Sequence, residues 1–105
     1  MQKKLYKILE EFAEKVRLEY PNAKVLAFGS YVKGTESVDS DFDICVVIPH
    51  MQPNDRLAIS DMAWEIGFDH DLHISTIVVS EKDFNQSANA ANPLLNEIRN
   101  KAIAA

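Results

Sequence analysis

Two aspartates, Asp41 and Asp43, flank Phe42 at the head of an apolar run that continues to Ile48. Side chains two apart on an extended strand project from the same face, so this spacing predicts two carboxylates at one place. Like charges so placed repel, at a cost that rises as the site closes. A hard divalent cation removes that cost. Mg²⁺ takes one or two carboxylates and fills its remaining positions with water and phosphate oxygens. Upstream, Gly29-Ser30 follows the short apolar run Lys24 to Phe28. A glycine there lets backbone approach a phosphate without a Cβ in the way. Amides opening the turn after Ser30 can receive an anion, and the Ser30 hydroxyl can donate to a phosphate oxygen. Lys33 can contact phosphate from the same turn or stand as an ordinary surface lysine. A triphosphate held at Gly29, Ser30 and Lys33, opposite metal-binding carboxylates, is the arrangement that nucleotidyl transfer requires.

The elements that must position these groups are legible around them. Leu5, Ile8, Leu9, Phe12, Ala13 and Val16 recur at three-and-four spacing and predict an amphipathic N-terminal helix, which Pro21-Asn22 ends. Lys24 to Phe28 and Phe42 to Ile48 read as strands, and the second is apolar on both parities after Asp43, as a central strand covered on both faces would be. Asn54 or Asp55 can cap a helix whose core face is Ile59, Met62, Ala63 and Ile66. Leu72 to Val79 is rich in β-branched residues and predicts a third strand. Ser80 to Asp83 reads as a capping box with Asp in place of Glu, and Asn92-Pro93 as a further helix start. The order is α-β-(short α)-β-α-β-α-α, an α/β (α+β) domain with a small mixed sheet flanked by helices. Leu9, Phe12, Leu26, Val46, Ile66 and Ile77 are the expected core.

Other reactive side chains have plainer readings. His70 and His73 stand three apart across a strand start, where alternation does not align them, so a zinc site is not expected. Cys45 sits deep in an apolar strand as an inert buried thiol. Tyr31 and Trp64 have the chemistry to stack on a base, though helix packing suffices to explain Trp64. Glu65 and Asp69 read as solvated helix charges.

Composition narrows the partners. The 105 residues suit one domain, 1–105. The formal net charge is −5, and no basic cluster interrupts it. That disfavours direct nucleic-acid binding, which draws its affinity from neutralised phosphates. A small anion escorted by a metal remains compatible. No apolar stretch approaches the length of a membrane span, and charges break up the N-terminal helix too often for a signal peptide. One cysteine permits no intrachain disulfide, and the chain reads as cytoplasmic.

Gly29-Ser30, ten residues, then Asp41-x-Asp43 resembles the signature of the DNA polymerase beta-type nucleotidyltransferase superfamily. The short chain and the closing run Asn92 to Arg99 resemble its minimal nucleotidyltransferase (MNT) branch. The resemblance implies a nucleotidyltransferase fold, ATP as nucleotide donor, one or two Mg²⁺ ions on Asp41 and Asp43, and a third carboxylate from a neighbouring strand. Asp71 is the expected third residue. His73 shares its face by alternation and stands where an aspartate would also fit. The resemblance further implies a HEPN-domain toxin as partner, with AMP added to one of its tyrosines. A protein that neutralises the toxin by contact alone is the alternative. An antibiotic-modifying enzyme is disfavoured, since nothing beyond the small domain is at hand to hold such a substrate.

Overall fold

The computed structural model describes residues 1–86 and 92–105. Its elements are α1 (Lys3–Glu19), β1 (Lys24–Phe28), α2 (Ser30–Lys33), β2 (Phe42–Ile48), α3 (Asp55–Asp69), β3 (Ile74–Ser80), α4 (Glu81–Gln86), α5 (Pro93–Lys101) and β4 (Ile103–Ala104). The sheet order is β3-β2-β1-β4. β1 runs antiparallel to both β2 and β4, whereas β2 and β3 are parallel, so the sheet is mixed as expected.

The double-sided apolar pattern of β2 has its predicted meaning. Phe42, Ile44, Val46 and Ile48 pack with α1 and α3 on one face. Cys45 and Val47 pack on the other face with Phe84 of α4 and Leu95 and Ile98 of α5. Each fully buried Phe or Ile contributes about 1.5–3 kcal/mol relative to exposure. Leu9, Phe12, Val46 and Ile66 are buried as expected. Leu26 and Ile77 are only half-buried, because they lie on the face that the shorter α4 and α5 cover incompletely.

The caps explain why the elements stop where they do. Asp83 N–H donates to Ser80 Oγ at 3.1 Å, opening α4. Leu95 N–H donates to Asn92 Oδ1 at 3.2 Å, with Pro93 at the first position of α5. α3 departs from expectation, since neither Asn54 nor Asp55 caps it in the usual way. Asp55 is instead buried, accepting from Gln52 N–H at 2.6 Å and from Tyr20 Oη at 2.8 Å. This ties the end of α1 to the start of α3. Burial and the Asp55 carboxylate push the Tyr20 phenol up to about 12.

Two features escape the sequence pattern. β4 is only two residues long, held by its ladder with β1 and by Ala105 N–H donating to the Val25 carbonyl at 2.9 Å. β3 begins at Ile74, so Asp71 lies outside it in the turn after α3. There Asp71 takes φ 51°, the left-handed region. The expectation that Asp71 and His73 share a strand face is thereby corrected, because alternation does not extend through that turn.

Candidate active site

The antiparallel register sets Phe28 opposite Asp43, so the chain leaves β1 at Gly29 beside the point where it enters β2. Gly29 takes φ 82° and ψ −155°, a conformation that favours glycine over any residue with a Cβ. A Cβ built there would land on Asp43 Oδ2. Two constraints thus require glycine at this position, the backbone angle and the carboxylate packed against it.

Ser30 opens α2, a single helical turn closed when Gly34 and Thr35 N–H both donate to the Ser30 carbonyl. The first amides of a helix have no carbonyl within it to bond, and here they adjoin the Asp43 side chain through Gly29. Lys33, at the end of the turn, forms an ion pair with Glu97 of α5. That pairing holds the Glu97 carboxyl below its ordinary range. Lys33 is thus tied to α5 rather than directed at the carboxylate pair.

Asp41 stands just before β2, delivered by a pinned loop. Tyr31 Oη donates to the Ser40 carbonyl at 3.3 Å, and its ring meets Phe42 edge-on with centroids 5.9 Å apart. Ser37 N–H donates to Ser40 Oγ at 2.9 Å. Tyr31 therefore positions the loop, an alternative to the base-stacking role its ring chemistry permits.

Asp43 is half-buried, and desolvation followed by the charge of Asp41 raises its carboxyl above the ordinary value. The two carboxylates therefore sense each other, as their spacing predicts. Asp71 is not among the causes of that rise. The parallel register of β2 and β3 instead sets Ser75 beside Asp43. Phe42 N–H donates to the His73 carbonyl at 2.9 Å, which extends the pairing by one step and brings His73 Nδ1 to 2.9 Å from Asp41 Oδ1. Gly29 thus lies against Asp43, His73 bonds Asp41 and Ser75 pairs with Asp43, whereas Asp71 lies in the turn before β3 and lines a crevice with His73. Ser75 drew no attention in the sequence because a parallel register between distant segments leaves no local mark. The Lys33–Glu97 pair was illegible for the same reason.

Asp41 and Asp43 suit a divalent cation. Their mutual repulsion is the burden such an ion lifts, and carboxylate oxygens are the donors Mg²⁺ prefers. Among the described residues no three His, Cys, Asp or Glu side chains are grouped to hold an ion as they stand. The fit is thus to an ion that takes two protein carboxylates and completes its shell from water and phosphate. The buried Cys45 thiol is pushed up to about 12 by desolvation, which keeps it protonated and inert. His70 bonds Glu11 at 2.7 Å, and His73 bonds Asp41, so the two histidines serve different partners.

A second feature adjoins this edge. A crevice of about 500 Å³ on the α3 side is lined by Trp64, Phe68, Asp71 and His73 among others. Trp64 is 64% exposed, so helix packing does not account for it, contrary to the sequence-based reading.

Comparison with known proteins agrees with the geometry. A family model described as "Nucleotidyltransferase domain" matches residues 5–103. The chain is 29% identical over 99 residues to "Putative protein adenylyltransferase MJ1305" of Methanocaldococcus jannaschii, covering 90% of this chain and 66% of that protein. The chain thus spans just under two thirds of that relative's length. A solved structure, "Crystal structure of the toxin-antitoxin with AMP-PNP", superposes with a TM-score of 0.61 at 20% identity, covering 90% of this chain and 70% of that one. At that identity the likeness speaks for the fold.

Proposed function

The chain belongs to the nucleotidyltransferase domain family, and from that premise we propose that it moves AMP from ATP to a hydroxyl of a protein partner, acting as the antitoxin of a HEPN-domain toxin. The observation that carries the proposal is the Asp41–Asp43 pair facing Gly29-Ser30, with Asp43 held above the ordinary carboxyl range by burial and by Asp41. The relative named as an adenylyltransferase supports AMP as the group moved. The solved toxin–antitoxin structure with AMP-PNP supports a nucleotide and a protein partner together.

Asp41 and Asp43 are the residues that would hold one or two Mg²⁺ ions. Bound there, the metal supplies positive charge against the triphosphate and against the pyrophosphate that leaves. Gly29 keeps the floor of the site free of a side chain. Ser30 and the opening amides of α2 offer donors to phosphate oxygens. Lys33 can reach the phosphates only by leaving Glu97, so its contribution is an exchange of one anion for another. Tyr31 holds the loop so that Asp41 stays with its partner.

Isothermal titration with ATP should give heat in the presence of Mg²⁺ and little with a chelator. Asp41→Asn and Asp43→Asn should each lose most of that heat. Unchanged affinity in both variants would place the phosphates elsewhere. The transfer itself is tested by co-expression with the product of the neighbouring reading frame and intact mass measurement of that product. Added AMP that disappears in the Asp41→Asn/Asp43→Asn double variant is the expected result.

One observation favours a second reading. The positions that come beside Asp41 and Asp43, one just before β3 and one within it, carry His73 and Ser75 rather than a carboxylate. A site with two carboxylates can bind a nucleotide and still transfer slowly, and the protein would then neutralise its partner by contact. A partner carrying no added mass, still neutralised by the double variant, would establish that reading instead.

A further inference from the structure

α3 buries Ile59, Met62, Ala63 and Ile66 against the sheet, which completes its packing. Its outer side nevertheless carries Leu57, Trp64 and Phe68, exposed by 65%, 64% and 73%. Trp64 and Phe68 stack on each other with centroids 5.2 Å apart and planes 19° from parallel. Two large aromatics turned outward side by side leave apolar area in water that the fold itself does not cover. Beside them the helix ends close against the following turn. A Cβ on Gly67 would strike the Leu72 carbonyl, to which Gly67 is tied through Leu72 N–H donating to the Gly67 carbonyl at 2.8 Å. That approach forms the wall of the crevice, whose lining reaches from Trp64 and Phe68 through Asp71 to His73. His73 is bonded to Asp41. The aromatic surface is therefore continuous with the carboxylate site through one side chain.

We propose that the Trp64–Phe68 pair and this crevice seat a segment of the acceptor protein, one presenting apolar and basic side chains, next to the strand ends that carry His73 and Asp41. The inference rests on the proposed transfer to a protein. Asp61, Glu65 and Asp69 are exposed on α3, where Lys15 of α1 pairs with Glu65, and Asp71 is exposed in the turn after it; Arg56 is the one cationic residue of the helix itself. With a chain net charge of −5, this side suits a basic partner and repels free phosphate. A nucleotide is the less fitting occupant. Its phosphates belong at Gly29-Ser30 beside Asp43, and Asp43 shares its strand parity with Cys45 and Val47, which face away from α3. Exposed aromatic anchors ringed by charge are the residues in which binding energy concentrates at protein interfaces.

Trp64 is the only tryptophan of this chain, so the chain's tryptophan emission, with the partner's own emission subtracted, reports on this surface. The full chain is titrated with the purified product of the neighbouring reading frame, while light scattering follows complex formation. Expected is a blue shift of Trp64 emission and loss of acrylamide quenching as the complex forms. Phe68→Asp should weaken the complex by about tenfold or more, while Mg²⁺-dependent ATP binding stays at the parental level. A complex in which Trp64 stays quenchable, or one that Phe68→Asp does not weaken, overturns the docking surface and leaves the transfer reading standing. A shift produced by ATP alone assigns the crevice to the base, and a shift that follows the chain's own concentration assigns it to a second copy. Either overturns the proposal. Absence of any complex overturns this inference and the protein-partner reading together, whereas loss of ATP binding in the Asp41 and Asp43 variants is read separately.

Discussion

Replacing Gly29 by alanine should damage the protein in two separable ways. The residue sits at φ 82° and ψ −155°. Holding a residue with a Cβ in such a sparsely populated region costs about 1–3 kcal/mol. The new methyl would also meet Asp43 Oδ2, the far end of a side chain that can turn away. Such a contact between touching residues adds about 0.5 kcal/mol, the low end of measured couplings. Asp43→Ala removes the carboxylate but leaves Cβ of residue 43 at 3.5 Å, an ordinary contact. The backbone cost of Gly29→Ala should therefore persist in the Asp43→Ala background, while the clash should vanish. Urea unfolding of the four proteins, followed by far-ultraviolet circular dichroism, measures both parts. Each kcal/mol lost should lower Tm by roughly 4–8 °C in a domain of this size. A Gly29→Ala cost below about 0.5 kcal/mol, the scale of an ordinary surface change, would refute the backbone assignment. An equal cost in both backgrounds would refute the packing of Asp43 on Gly29.

The remaining predictions concern charge and hydrogen bonding. Because Asp43 is raised in the folded protein, the folded state binds its proton more tightly than the unfolded state does. Stability from this residue is complete below the unfolded carboxyl value of 3.8 and declines as pH rises through the raised folded value. Asp43→Asn should therefore be more stable than the parent at pH 7 without metal, with the difference shrinking toward pH 4. An unfolding series across that range checks it, and a difference that grows on acidification would contradict the sign. Tyr20→Phe removes a donor to the buried Asp55 carboxylate and should cost about 1.5–3 kcal/mol in chemical denaturation; an unchanged midpoint would show that the bond contributes nothing. Ser75→Asp places a carboxylate beside Asp43, where a like charge at about 5 Å costs roughly 3 kcal/mol at an effective dielectric of 20, and less once solvent screens it. That variant should be less stable without metal and bind Mg²⁺ more tightly by titration calorimetry, whereas Asp71→Asn should change neither; the reverse pattern would restore Asp71 to the metal site.

Much of the fold was readable because its signals are local. The helix period of Leu5 to Val16, the double-sided β2 and the Ser80 and Asn92 caps each depend on neighbours in sequence. The Asp41–Asp43 pair was readable for the same reason, as was the need for a small residue at Gly29. What stayed hidden depends on pairing between segments far apart. β4 owes its two residues to a ladder with β1, and nothing in Ile103-Ala104 announces it. Ser75 gains its place only from the offset between β2 and β3. Asp71 shows the opposite hazard. Strand alternation was extended back through His73 to a residue that the turn after α3 places at φ 51°, outside the strand. Trp64 shows a third. Its helix was recognisable, but burial depends on which side the sheet occupies, and the sheet lies opposite.

The same placement joins chemistry to assembly. Asp43 and Gly29 lie toward the side covered by α4 and α5, and the exposed aromatics lie on the outer side of α3. His73 stands between them at the sheet edge, bonded to Asp41 and lining the crevice. On the proposed transfer, an acceptor seated across α3 would reach the strand ends beside His73 from that side, while a nucleotide whose phosphates rest on Gly29-Ser30 would lie toward α4 and α5. In-line displacement at phosphorus requires attacking and leaving oxygens on opposite sides of the transferred group. In the proposed reaction each substrate would be presented from its own side of one sheet edge. Positioning of that kind can supply several kcal/mol toward the barrier without any further catalytic side chain.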